Sequence, residues 1–469
     1  IVLSAKCRVL SAECRLPGDR VLVLNQGFFR CAKFIPSTLT QDNVSQKYIF
    51  PEWARNQVVY EVNLRQYTPG GTISEFRQHL PRLKKLGAGI LWFMPLQPIG
   101  IKNRKGTLGS YYSIRNYCQI DPAYGTMEEF IDMVSEIHAL GMYVILDWVA
   151  NHTAWDHHWV DEFPAFYRRN EAGEVHPPFP EWEDVVGLDY TNPDLRLAMI
   201  EAMKFWIQKT NIDGFRCDMA MLVPTDFWNQ ARKELEAVKH VFMLAEADQR
   251  DLTEEAFDVL YNWNLMHVWN DIAAGKYTAD EIRWRIPSEI TDFPAGADNL
   301  MFISNHDENS WNGSEIERLH FALEAFAVLI FTLPGMPLIY SGMEAGNYRR
   351  LSFFDKDCID WKEDKMALLY RKLAHLRMHN PALRSLQPKS DFRLLSTTRD
   401  DQVFSFIRQS DGNGIVVLLN LSPGNVDFSL TGDGCQGTYS DLKSGMKITL
   451  GETPCFSLPA WGYMVLVQE

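Results

Sequence analysis

From about residue 56 the chain alternates short apolar runs with longer stretches whose apolar positions recur at helical spacing. The runs are Val58-Val59-Tyr60, Ile90–Met94, Tyr143–Leu146, Ile212–Cys217, Val241–Ala245, Phe257–Tyr261, Met301–Ile303 and Pro337–Tyr340. Most are continuously apolar, the pattern of parallel strands covered on both faces. The helical stretches between them carry end signals. Thr126-Met127-Glu128-Glu129 reads as a capping box with Gly141 beyond the far end, and Asn192-Pro193 as an N-cap followed by proline at the first helical position. Eight such alternations predict an α/β fold, a (β/α)8 TIM barrel. The connection after the third strand, 149–190, is long and rich in Trp, Pro and His, and reads as a small inserted subdomain over the barrel mouth. Beyond about residue 390 the helical period stops. Val403–Phe406, Ile415–Leu419, Val426–Leu430, Met446–Leu450 and Tyr463–Val467 alternate with turn residues, which predicts a C-terminal antiparallel β-sandwich. The expected division is 1–46 without an assignment, 47–390 barrel with its 149–190 insert, and 391–469 β domain.

Composition narrows the class. The 469 residues carry 46 Lys+Arg against 60 Asp+Glu, a net charge of −14, which argues against a nucleic-acid partner because neutralising phosphates needs a basic face. The longest apolar stretch, near Ala325–Leu333, falls short of the ~20 residues that cross a bilayer, so no integral membrane segment is expected. Eight Cys without a C-x-x-C pair support neither a disulfide scaffold nor a zinc site. The chain opens at Ile1 with no basic-then-apolar leader, so a signal peptide is expected to be absent or removed. Nothing in the sequence sets the oligomeric state.

In such a barrel the chemistry sits at the C-terminal ends of the strands. Four ends are loaded: Asp147-Trp148-Val149-Ala150-Asn151-His152, Gly214-Phe215-Arg216-Cys217-Asp218, Leu244-Ala245-Glu246-Ala247-Asp248 and Ser304-Asn305-His306-Asp307-Glu308-Asn309. Neighbouring strands lie ~4.8 Å apart, so Asp218 and Glu246 are expected to bring their carboxyl groups within roughly 5–6 Å. That is the separation double displacement at a glycosidic carbon needs, one carboxylate attacking and the other protonating the leaving oxygen. Arg216, two residues before Asp218, points to the same face and is expected to keep it ionised. No Gly-rich phosphate loop stands at these ends, which disfavours a phosphate-handling barrel.

The strings DWVANH (147–152), GFRCDMA (214–220), AEAD (245–248) and SNHDEN (304–309) resemble, in order and position, the four signature regions of the α-amylase family, glycoside hydrolase family 13. The resemblance extends to GSYYSIRNYCQIDPAYGT (109–126) and GMPLIYSGMEAG (335–346). It implies Asp218 as nucleophile, Glu246 as general acid/base, and Asp307 as a third carboxylate holding substrate hydroxyls. It further implies His152 and His306 as hydrogen-bonding partners of the sugar at the cleavage point, Arg216 as partner of the nucleophile, and Tyr112 as the ring beneath that sugar. The activity implied is retaining hydrolysis of α-1,4-glucosidic bonds in starch or maltooligosaccharides, with no organic cofactor. A transglycosylase, a sucrose- or trehalose-type enzyme, and a non-catalytic binding relative are the alternatives. Family members of this kind are often exported, which favours the periplasm or the exterior.

Two positions depart from the family pattern. Members with a structural calcium take one ligand from the Asn matching Asn151 and another from an Asp, which here aligns with Gly187; glycine supplies no carboxylate, which puts the metal in doubt. Many α-amylases carry Lys-His three and four residues after the nucleophile, where this chain has Met221 and Leu222, so a more apolar acceptor side is expected. Trp148, Trp155, Trp182, Trp263 and Trp311 are positional candidates for glucan contact. His157-His158 lacks metal-site spacing and reads as loop, and Asp355-Lys356-Asp357 reads as a turn.

Overall fold

The computed structural model describes residues 49–386, 391–431 and 434–469. The 1–46 segment lies outside them. Eight parallel strands close a barrel: β1 (Val59–Val62), β2 (Ile90–Phe93), β3 (Tyr143–Val149), β4 (Gly214–Asp218), β5 (Phe242–Ala245), β6 (Val259–Tyr261), β7 (Asp298–Met301) and β8 (Met336–Tyr340). Each pairs with its sequence neighbour, and β8 closes on β1. All eight coincide with predicted apolar runs except β7, which starts three residues earlier. Its first half, Asp298-Asn299, is polar yet buried, and so hides from a search for apolar runs.

The helix Met127–Ala139 starts on the Thr126/Glu129 capping box, and Pro193–Thr210 starts on Asn192, whose side chain accepts from the Asp194 and Leu195 amides. The insert is built on an antiparallel ribbon, His152–Ala154 against Val185–Gly187, with a short helix at His158–Glu162.

The C-terminal strands are β9 (Phe392–Leu394), β10 (Val403–Ser410), β11 (Asn413–Asn420), β12 (Val426–Ser429), β13 (Gly437–Asp441), β14 (Lys447–Leu450), β15 (Cys455–Leu458) and β16 (Tyr463–Gln468). They form one sheet in the order β9-β10-β11-β16-β13-β14 and a second from β12 and β15. In the central strands both faces are apolar. Phe404, Phe406, Ile415, Val417 and Leu419 pack into the barrel's own core, while Val403, Ile407, Val416 and Leu418 face the small sheet. Arg408 crosses the seam and donates to the Thr332 and Leu333 carbonyls at 3.2 and 3.1 Å. Among the described residues no helix is long and apolar enough to cross a membrane.

Candidate active site

Strand register brings the candidates together. Asp147 of β3 lies beside Arg216 of β4, and Cys217 lies beside Ala245 of β5, so one residue on Asp218 and Glu246 stand at adjoining strand ends. The close approach of β4 to β5 depends on Gly214. Its φ is +154°, and a Cβ there would sit 1.8 Å from the Phe242 carbonyl oxygen.

Arg216 is fully buried and joins three carboxylates. Its Nη1 donates to Asp147 Oδ1 at 2.9 Å and to Asp218 Oδ1 at 3.2 Å, and its Nη2 forms an ion pair with Glu246 Oε2 at 3.0 Å. Its Nε donates to the Tyr261 hydroxyl at 3.2 Å, and the guanidinium lies over the Trp92 ring at 5.0 Å. Glu246 Oε2 also accepts from the Met219 amide at 2.9 Å. Asp218 Oδ1 is thus held by Arg216, while its Oδ2 is buried with no hydrogen-bond partner among the described residues.

A second chain of contacts runs inward from Asp307. His306 Nε2 stands 3.6 Å from Asp307 Oδ2 and 2.6 Å from the Tyr112 hydroxyl, which donates to Asp147 Oδ2 at 3.1 Å. His306 Nδ1 donates to the fully buried Glu61 at 2.5 Å. Tyr112 and His306 stack with centroids 5.4 Å apart.

These contacts decide the electrostatics. Burial, then Glu246, pushes the Asp218 carboxyl well above the usual carboxylate range against the pull of Arg216. Arg216 acts in the expected direction, lowering the Asp218 carboxyl, but it divides its charge among three carboxylates and burial outweighs it. Burial likewise raises Asp147 and Glu61. Burial opposes a charge on His306, but Asp307 and Glu61 overcome it and lift the imidazole to about 9. The like charge of Asp307 bears on Asp218 and His306. His152 has no such partner; burial lowers it to about 4, so it is a neutral imidazole. It sits next to Asn151, 3.3 Å from that amide nitrogen, and edge-on to Trp182 at 5.4 Å.

Glu61, Trp92 and Tyr261 belong to this centre and are absent from the sequence-derived set. For Glu61 a signal existed, a lone acid inside the apolar run Val58–Val62. Of the tryptophan candidates, Trp148 is corrected to a core residue, fully buried against Tyr117 and Phe215. Trp263 stacks on Tyr261 at 5.3 Å, and Trp311 lies 38% exposed at the rim.

The donor set near Asn151 does not fit a calcium ion. Asn151 Oδ1 is buried with no hydrogen-bond partner among the described residues, but a Cβ at Gly187 would meet the Arg168 side chain at 3.4 Å, and Arg168 Nε donates to the Leu188 carbonyl at 2.8 Å. A guanidinium thus stands beside the position where a dication needs a carboxylate. Asp189 is turned away, its Oδ1 accepting from the Thr191 amide and hydroxyl.

Comparison with known proteins supplies the family. A model of the alpha amylase catalytic domain matches residues 38–172 and 180–368. An alpha-amylase of Haloarcula japonica is 27% identical over 419 residues, which is 85% of this chain and 60% of that protein. The chain thus spans less than two thirds of that relative. A maltogenic alpha-amylase of Bacillus acidopullulyticus is 24% identical over 491 residues, covering 90% of this chain and 79% of its own length. The crystal structure of a noncanonic maltogenic alpha-amylase from Thermotoga neapolitana superposes with a TM-score of 0.80 at 30% identity, over 88% of this chain and 98% of that one. With the family model spanning most of the chain and the barrel shared throughout, this protein belongs to the α-amylase family of glycoside hydrolases, enzymes that act on O-glycosyl bonds.

Proposed function

We propose that the protein is a retaining α-glucan hydrolase that cleaves α-1,4 bonds of maltooligosaccharides. The observation that carries this reading is the placement of Asp218 and Glu246 at adjoining strand ends under one guanidinium, with one oxygen of Asp218 anchored and the other uncommitted. In this reading Asp218 Oδ2 attacks the anomeric carbon while Glu246 gives its proton to the departing glycosidic oxygen. A covalent glycosyl-enzyme results, and the first sugar product leaves with the proton. Water then attacks the same carbon, Glu246 takes its proton back, and the Asp218 ester bond breaks with overall retention.

The mouth carries more acidic than basic groups. Glu61, Asp147, Asp218, Glu246 and Asp307 share the mouth with the Arg216 guanidinium and the His306 imidazole. The surplus of negative charge favours retention of a proton within the cluster. Tyr112, stacked on His306, offers a ring for the apolar face of the sugar, and Asp307, a quarter exposed, is open to its hydroxyls.

A second reading, transfer to a sugar acceptor, draws support from the acceptor side. There Met221, Leu222 and Val223 line a cavity of about 400 Å³ with Arg168 and Asp189. The apolar Met221-Leu222-Val223 part of that lining would favour an acceptor's pyranose face over attacking water. A product time course from maltoheptaose, read by chromatography and by proton NMR of the first-formed anomer, tests both readings. Short α-configured sugars with wild type and none with Asp218→Asn are expected; a β-configured first product overturns retention, and redistribution of chain lengths without net hydrolysis favours transfer.

A further inference from the structure

The connection that follows β2 does not stay above its own strand. Ile101 donates its amide to the Asp156 carboxylate of the insert at 3.1 Å, and Lys105 donates to the Glu181 carbonyl at 2.6 Å and pairs with Asp184 at 3.3 Å. Two residues later the attachments change partner. Thr107 donates through both its amide and its hydroxyl to Asp355 Oδ1 at 2.7 Å, and the Leu108 and Gly109 amides donate to the Phe354 carbonyl at 2.9 and 3.2 Å. Residues 101–109 are therefore a strap fastened at one end to the insert after β3 and at the other to the connection after β8. Gly106 permits the crossing: its φ is +62°, and a Cβ there would lie 2.5 Å from Phe354 Cβ. Asp355, read from sequence as part of a turn, is the anchor.

Under the strap stands an aromatic wall. Phe353 lies nearly parallel to Tyr112, with centroids 6.3 Å apart and planes 14° apart, and 6.3 Å from His306. Trp311 packs on Phe353 at 5.1 Å from the outer side. Arg65 fixes the wall from below by donating to the Gly109 and Phe353 carbonyls at 3.0 and 3.2 Å. In the ring of strands, β8, β1, β2 and β3 are consecutive, and β4 lies opposite β8. The wall and the Met221-Leu222 turn that follows Asp218 therefore face each other across the mouth.

We propose that this strap is a specificity device, closing the cleft beyond Tyr112 so that the enzyme accepts the end of a glucan chain with a short glycone and excludes chain interiors. The proposal rests on the glucan reading above. A chain lying across the mouth would have to displace the two Thr107–Asp355 bonds, the Lys105 attachments and the Phe354 packing together.

The test compares 4-nitrophenyl α-maltoheptaoside with the same compound blocked at its non-reducing end by a 4,6-O-ethylidene group, with products read by chromatography. Wild type is expected to cleave the blocked substrate more than about tenfold more slowly than the free one. Releasing the strap with K105A/T107A/D355A is expected to narrow that ratio several-fold while leaving the rate on the free substrate within about twofold. Maltoheptaose labelled at its reducing end provides a readout on wild type alone: stepwise shortening supports chain-end action. Equal rates on blocked and free substrates, or label scattered over all lengths at first turnover, overturns the proposal. Cleavage of neither substrate overturns the glucan reading and the strap's role with it.

Discussion

Arg216 spreads one guanidinium over Asp147, Asp218 and Tyr261 by hydrogen bonds and over Glu246 by an ion pair, a division that its planar fork allows. Arg216→Lys keeps a charge but supplies a single point donor, so Asp218 and Glu246 lose their common clamp. A fall in kcat on the order of 10²-fold is expected, with KM changed much less, as measured by initial rates on a chromogenic maltoside. The electrostatics of Asp218 make a separate prediction. Burial and then Glu246 raise its carboxyl, so the acid limb of kcat/KM should lie above the ordinary Asp range. In Glu246→Gln that limb should move to lower pH, measured on a glycosyl fluoride whose leaving group needs no proton. His306 supplies a stability test. Its folded value of about 9 exceeds the ordinary 6.5, so its charge stabilises the fold fully below about pH 6.5 and ceases to do so as pH rises through 9. That difference corresponds to roughly 3 kcal/mol. Glu61→Gln removes one of the two raising partners and should reduce the loss of Tm between about pH 6 and pH 9.5; an unchanged loss would refute the pairing.

At the scale of elements, β4 and β5 show why one glycine matters. Gly214→Ala forces a Cβ onto the Phe242 carbonyl and is expected to cost at least about 2 kcal/mol, read by urea unfolding. Because the clash lies four residues below Asp218, a soluble variant should also lose kcat. The barrel strands were legible because burial on both faces writes a continuous apolar run, and the strand ends were legible because ionisable residues interrupt it. Three strands of the β domain were not. Phe392–Leu394, Gly437–Asp441 and Cys455–Leu458 are short and half-exposed, with few apolar positions to set a period. The candidate site was legible where a carboxylate ends a strand. It was not where the contributor is an aromatic, since Trp92 and Tyr261 look like core until the structure turns their polar atoms toward Asp147 and Arg216.

At the scale of the whole molecule, the β domain and the barrel share one core through Phe404, Phe406, Ile415, Val417 and Leu419. Calorimetry should therefore record one cooperative transition, and two resolved transitions would show that the shared core is energetically minor. The Arg168 guanidinium beside Gly187 predicts that a chelator leaves that transition where it was. A fall of several degrees in EDTA, reversed by calcium, would contradict that placement.

The doubly covered sheet also bears on how such a protein can be remodelled. A domain with one wet face can be exchanged for another like a bead on a string, but here exchange would strip the barrel of part of its own interior. New modules must enter where the chain already leaves the packed layers. The hairpin between β10 and β11 is such a place: Asp411 and Gly412 both adopt positive φ, both are exposed, and no described residue lies within 4 Å of a Cβ built on Gly412. A reporter or binding domain spliced there adds to the molecule without reopening the seam, and diversification of this architecture is channelled toward its hairpin tips rather than its joints.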